Sequence, residues 1–157
     1  MPPKQIRPKS LADYLEQLSK IAFQAGLSGR VVEAKWEHIR KAFHEFDPER
    51  VARMTPKAVD KLVVDEKMIR SRSKIEATVA NAERMLELDE EHKSFKRYLR
   101  SHDDYEALAK DLRKQFKFLG DHGAYRFLWV VGEKVPDWHE WARSRGIEQS
   151  MRSRSTA

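Results

Sequence analysis

The chain has 157 residues, 40% of them hydrophobic and 36% charged, a balance that suits one globular domain with a real core and excludes a disordered chain. Cysteine is absent, which excludes disulfides, thiolate chemistry and any cysteine-based zinc site. The formal charge of +6 agrees with a polyanionic partner without requiring one.

The pattern is helical nearly throughout. Ser10-Leu11-Ala12-Asp13 reads as a capping box, and Leu11, Leu15, Leu18, Ile21 and Ala25 recur at helical spacing up to a stop at Gly26. Ser28 caps a second helix with the apolar stripe Val32, Trp36, Ile39, Phe43 and Phe46. Asp47-Pro48 and Thr55-Pro56 each pair an N-cap with proline at the first helical position, opening helices near 48–54 and 56–64. After a tight connection at 65–70, Ser71 starts a long helix carrying Ile75, Val79, Ala82 and Leu86, with an acidic break expected at 88–92. A short helix follows at Phe95, Tyr98 and Leu99. Asp103 or Asp104 caps the next, with Tyr105, Leu108, Leu112 and Phe116 on one face. Gly120 separates it from 121–131, and Asp137 starts a last helix containing Trp141. Alternating strand patterns are not found, so the fold class is all-α. The domain is placed at 1–148 and a flexible basic tail at 149–157. No apolar run reaches the ~20 residues of a bilayer span. The first residues lead into charge rather than an apolar signal core, so the expectation is a cytoplasmic protein with no membrane partner.

Two segments invite chemistry. Residues 65–73, DEKMIRSRS, join two predicted helices, and the N-terminus of the second offers free amides and a favourable dipole to a phosphate. The plain alternative is an ordinary helix hairpin with solvated basic residues. The second segment, FKFLG at 116–120, mixes aromatic residues with Lys117 and a glycine; Phe116, Phe118 and Phe127 are expected in the core, while the hydroxyl of Tyr125 needs a partner. The six histidines show no tight ligand spacing, so neither a metal nor another cofactor is expected.

FQAGLS at 23–28, then AF..FDP..VA.M across 42–54, then IR.R.KI at 69–75 resemble the DNA-3-methyladenine glycosylase I family of the helix-hairpin-helix DNA glycosylase superfamily. FKFLG with Tyr125 and Phe127 resembles a further segment of that family. The resemblance implies an all-α helix-hairpin-helix fold and a monofunctional hydrolase of base-excision repair. Such an enzyme cleaves the N-glycosidic bond of alkylated purines such as 3-methyladenine in double-stranded DNA, as a monomer without a cofactor. It implies DNA contacts from Arg70, Ser71, Arg72, Lys74, Lys117 and Gly120, and a base pocket near Gln24, Ser28, Gly29 and Tyr125. It assigns no catalytic residue.

The departures fall on that pocket. The family's tryptophan after Gly-Leu-Ser is Gly29 here, its glutamate position holds Ile21, and residues 1–10 contain no aromatic to match its N-terminal ones. The family's zinc-tying residues are also missing, although His139 resembles one of them. Trp36 or Trp129 is a substitute stacking face, and Glu16 or Glu33 a substitute carboxylate. The alternative reading is a protein that keeps the fold and binds DNA or lesions without excision.

Overall fold

A computed structural model describes residues 3–147, and among them every regular element is helical. The helices are α1 (Leu11–Gln24), α2 (Gly29–Ala42), α3 (Pro48–Ala52), α4 (Pro56–Val63), α5 (Arg72–Glu91), α6 (Phe95–Leu99), α7 (Tyr105–Gln115), α8 (Asp121–Val130) and α9 (Trp138–Ser144). The tail placed at 149–157 lies outside the described residues.

Local chemistry sets most helix starts. The side chains of Ser28, Asp47, Thr55, Ser71, Ser94, Asp104 and Asp137 each accept a first-turn amide. Between Asp103 and Asp104, it is Asp104 that caps. The capping box at α1 does not form: Ser10 makes no side-chain cap, and the Asp13 carboxylate accepts from the Lys9 amide at 2.8 Å instead. Gly26, at φ +76, ends the excursion from α1.

The long helix α5 is the centre of the fold, packing against α1, α3, α4 and α6. It runs through the predicted acidic break at 88–92, because Leu88 is buried and extends the stripe of Ile75, Ala82 and Met85. The chain turns only after Glu91, with Lys93 at φ +70 and the Asp89 carboxylate accepting from the Phe95 amide at 2.7 Å. Beside this apolar stripe runs a buried polar one, Lys74, Thr78 and Asn81, each with a partner.

Aromatic side chains fill the space between α1 and α2. Phe23 meets Trp36 edge-on and Phe43 at a tilt, and Trp36 stacks on Phe46 at 5.4 Å with the planes 12° apart. Phe46 lies beyond the end of α2, in a single 3-10 turn at His44–Phe46 whose three residues have φ of 55°, 56° and 60°. Three consecutive non-glycine residues in the left-handed region cost free energy, which the burial of Phe46 offsets.

Phe116 and Phe127 are core residues, but Phe118 is not. It is 41% exposed and itself left-handed, at φ +59, because the turn into α8 carries its side chain outward.

Candidate functional site

The hairpin between α4 and α5 is fastened from α2. Lys35 Nζ donates to the carbonyls of Met68 at 3.2 Å and Glu66 at 3.4 Å, while His38 Nε2 lies 2.7 Å from an Asp65 carboxylate oxygen. The hydrogen bond from His38, joined by the Lys67 amide, holds the Asp65 carboxyl below the usual carboxylate range. Met68 and Ile69 are buried and plug the turn into the core. This anchoring presents residues 70–73 at the surface with α5 beginning directly behind them.

The basic residues of this segment separate into three kinds. Arg70 is exposed. Arg72 is exposed too, but its guanidinium reaches Asp60 at 2.7 Å and Glu76 at 3.5 Å. Lys74 turns inward: its Nζ donates to the carbonyl of Phe23 at 3.0 Å and also to that of Ala25. Burial lowers its pKa from the usual lysine value. Lys74 therefore caps the C-terminus of α1, and its ammonium is withdrawn from any phosphate at the surface. Ser71 caps α5 through the Lys74 amide and also touches the Ser73 hydroxyl, at 3.2 Å.

At the second segment the Lys117 peptide is gripped by the buried Asn81 side chain, which leaves the Lys117 side chain exposed. Gly120 forms the N-cap of α8 without a side-chain bond, and the space where a Cβ would project is open.

Of the four residues assigned to a base pocket, Gln24, Ser28 and Gly29 lie together at the turn between α1 and α2, and Tyr125 lines a different cleft. Gln24 lines a small cleft of about 250 Å³ together with Lys4, Ile6, Lys20, Ile21, Glu33 and Arg126. Ser28 is exposed and uses its hydroxyl as the cap of α2. Gly29 is exposed at the first turn of α2, where an added Cβ would meet only Gln24 Nε2, at 3.9 Å. Ile21 packs toward α8, its Cγ2 standing 3.1 Å from where a Cβ on Gly123 would project, so the glycine lets the two helices approach. The small cleft has no aromatic wall, and its one carboxylate, Glu33, is paired with Lys20 at 2.8 Å. Trp36 is a core residue whose indole donates to Glu16 at 2.9 Å, which commits both of those substitutes to structure.

Tyr125 belongs to a second, larger cleft of about 820 Å³ between α8 and α9, lined also by His122, Arg126, Trp129, Asp137 and Trp138. Its ring is buried and its hydroxyl donates to the Pro136 carbonyl at 2.6 Å, while burial raises its pKa. Arg126 and Pro3 line both clefts and so form the divide between them. Sequence reasoning missed Arg126, His122 and Trp138. The signal was present, since positions 122, 125, 126 and 129 follow the i, i+3, i+4, i+7 rule of a single helix face.

The residues here do not fit the structural zinc of the resembled family. There is no cysteine, and among the described residues no three His, Asp or Glu side chains come together to hold a metal. α9 is secured to α8 instead by ring packing of Tyr125 on Trp141, 4.5 Å between centroids, and by Arg145, which reaches both Asp121 and Glu106 at 2.9 Å.

The profile of the methyladenine glycosylase family matches residues 10–139. DNA-3-methyladenine glycosylase 1 of Escherichia coli (strain K12) is 34% identical over 130 residues, covering 69% of this chain and 70% of that protein. DNA-3-methyladenine glycosylase of Haemophilus influenzae is 32% identical over the same shares. Among solved structures, 3-methyladenine DNA glycosylase I superposes with a TM-score of 0.71 at 30% identity, over 81% of both chains. A Tyr-to-Phe variant of that glycosylase in complex with 3-methyladenine gives 0.72 at 29% identity, over 82% of this chain and 81% of that one. On fold and on sequence alike, the chain belongs to the methyladenine glycosylase family.

Proposed function

We propose that the protein is a monofunctional DNA glycosylase that releases alkylated purines such as 3-methyladenine from double-stranded DNA, acting as a monomer in the cytoplasm. The observation that carries this is the bond from Lys74 to the carbonyls of Phe23 and Ala25. It ties the first turn of α5, where a phosphate would meet free amides beside Arg70, to the end of α1, where Gln24 forms the wall of a cleft. Backbone binding and base capture are thereby held in one frame, as excision from a duplex requires. Lys117 and Gly120 add a second contact to the backbone.

The chemistry asks little of the protein. A purine methylated at N3 is already cationic, so the bond to C1′ is weak. Water adds to C1′, the electrons of the glycosidic bond pass to the departing base, and the proton of the water is lost to solvent. The chain's part is to hold the nucleotide out of the stack in that geometry. Lys74 is not available as a Schiff-base nucleophile, since its ammonium is buried on carbonyl oxygens.

A second reading, DNA binding without excision, is favoured by one observation: the cleft beside Gln24 lacks an aromatic face and a free carboxylate. One assay decides. The protein is incubated with methylated duplex, and free 3-methyladenine and abasic sites are measured. Release of the base supports the glycosylase; bound duplex with no release at high protein supports the binding module.

A further inference from the structure

Among the described residues two phenylalanines have left-handed backbone, and they stand in opposite settings. Phe46, at φ +60, is fully buried, so the core offsets its strain. Phe118, at φ +59, is 41% exposed, and the folded chain recovers far less from its ring. A bulky side chain at positive φ is strained, and glycine would take the position without that cost. Folding alone therefore gives little reason for an aromatic residue at 118.

The neighbours of Phe118 define what its ring meets. The Asn81 side chain holds the Lys117 peptide at 2.8 and 3.1 Å, so the turn is fixed before any ligand arrives and loses little freedom on binding. Lys114 and Lys117 are exposed, and neither has an ion pair among the described residues. On the far side of the ring Gly120 forms the N-cap of α8, with open space where a Cβ would project and no side chain over the first-turn amides. The Asp121 carboxylate, which would repel a phosphate there, is paired with Arg145 at 2.9 Å.

In chain order the segment thus offers a cation, an exposed ring and an open helix N-terminus. The cation and the helix terminus each suit a phosphate. What separates two successive phosphates of a DNA strand is a deoxyribose, whose carbon face is apolar and the same in every sequence.

We propose that Phe118 packs its ring on a deoxyribose of the bound duplex, between phosphates taken by Lys117 and by the first turn of α8. The contact positions the backbone and reads no base. It rests on the reading of the chain as a glycosylase of duplex DNA, and adds to that reading an apolar contact outside the base cleft.

The test measures duplex binding against salt, urea unfolding, and release of 3-methyladenine from methylated duplex, all with the full chain. Phe118→Ala should bind duplex roughly tenfold more weakly, with the slope of log K against log salt unchanged, since a neutral ring displaces no counterion. Lys117→Ala should instead reduce that slope by about one. Phe118→Gly should bind as weakly as Phe118→Ala while its urea midpoint rises, because the strain is relieved; the loss on DNA is then not a loss of fold. Phe118→Tyr keeps the ring and should restore the affinity. Release at limiting protein should slow along with binding. If Phe118→Ala and Phe118→Gly both bind within about twofold of the unaltered protein, the ring is idle on DNA and the proposal is overturned. Continued release of the base by those two variants would leave the glycosylase reading standing. Duplex binding that depends on the ring, with no release by the unaltered protein, upholds the contact and removes the glycosylase reading. Absence of duplex binding by the unaltered protein removes both.

Discussion

Asn81 grips the Lys117 peptide from both ends: its Nδ2 donates to the Lys117 carbonyl at 3.1 Å, and its Oδ1 accepts from the Lys117 amide at 2.8 Å. The side chain is 2% exposed and spans from the middle of α5 to the turn before α8. The pair steadies the backbone just ahead of Phe118, whose left-handed φ is uncommon for an aromatic residue. Asn81→Ala leaves both peptide groups without their partner in a half-buried place, and we expect a loss of about 2 kcal/mol. For a chain of this size that lowers Tm by roughly 4–8 °C. A thermal melt within 1 °C of the unaltered protein would show the clamp to be dispensable.

Arg70, Arg72 and Lys74 should behave differently on DNA. Arg70→Ala removes an exposed cation, so affinity falls and the slope of log K against log salt shrinks by about one. Arg72→Ala has a smaller effect, because that charge is already shared with Asp60 and Glu76. Lys74→Met leaves the salt slope unchanged but destabilises the fold by about 2–3 kcal/mol, since the carbonyls of Phe23 and Ala25 lose their donor. Salt titrations of duplex binding, run beside urea unfolding, separate the three. A reduced salt slope in Lys74→Met would mean that its ammonium turns outward to meet DNA.

The left-handed run at His44, Glu45 and Phe46 offers a stabilising substitution. Glu45 is exposed and its single ion pair, to Arg40 at 3.5 Å, is long. Glycine at this position relieves about 1–2 kcal/mol of backbone strain and returns part of it as unfolded-chain entropy. The expected net gain for Glu45→Gly is about 0.5–1 kcal/mol, read as a higher urea midpoint with an unchanged slope. Phe46→Ala is the opposite case, with an expected cost of about 3–5 kcal/mol from emptying a fully buried site. A lower midpoint in Glu45→Gly would locate the strain elsewhere.

Acid stability should depend on Asp111. Burial pushes its carboxyl up, but hydrogen bonds from His102 at 2.8 Å, Tyr98 at 2.7 Å and Gln115 at 3.0 Å outweigh that and hold it below the usual range. The folded pKa is therefore below the unfolded value of about 3.9. Its contribution is fully present above that unfolded value and is lost as pH falls through the lower folded one. Asp111→Asn should be less stable at pH 7 and should lose less stability between about pH 5 and pH 2. Melting curves collected across that range check it, and parallel pH profiles for the two proteins would count against it.

What the sequence disclosed and what it withheld follow from the range of the interactions involved. The caps at Ser28, Asp47, Thr55, Ser71 and Asp137 were readable because each depends on a residue and the amide two or three places on. The spacing of Val32, Trp36, Ile39 and Phe43 announced a buried face for the same reason. The inward turn of Lys74 was not readable, because it is decided by two carbonyls some fifty residues away. Arg-x-Arg-x-Lys looks like a uniform basic patch until α1 is placed behind it. Tyr125 and Gln24 were assigned to one pocket because each adjoins a recognisable motif. They are parted by Arg126 and Pro3, and only the folded chain brings residue 3 against α8.

The segment at residues 3–6 gives that partition an unusual origin. It is laid along α8 by hydrogen bonds from Trp129 Nε1 to the Pro3 carbonyl, from Gln5 Nε2 to the Trp129 carbonyl and from the Ile6 amide to the Val130 carbonyl. One wall of each cleft is thus extended chain rather than helix, attached mainly through main-chain atoms that almost any side chain leaves in place. Substitutions along these four positions can reshape the two clefts while the helical scaffold stays as it is. In a lineage of such proteins, the shape of both clefts is free to drift through a short ribbon, with no cost to the core.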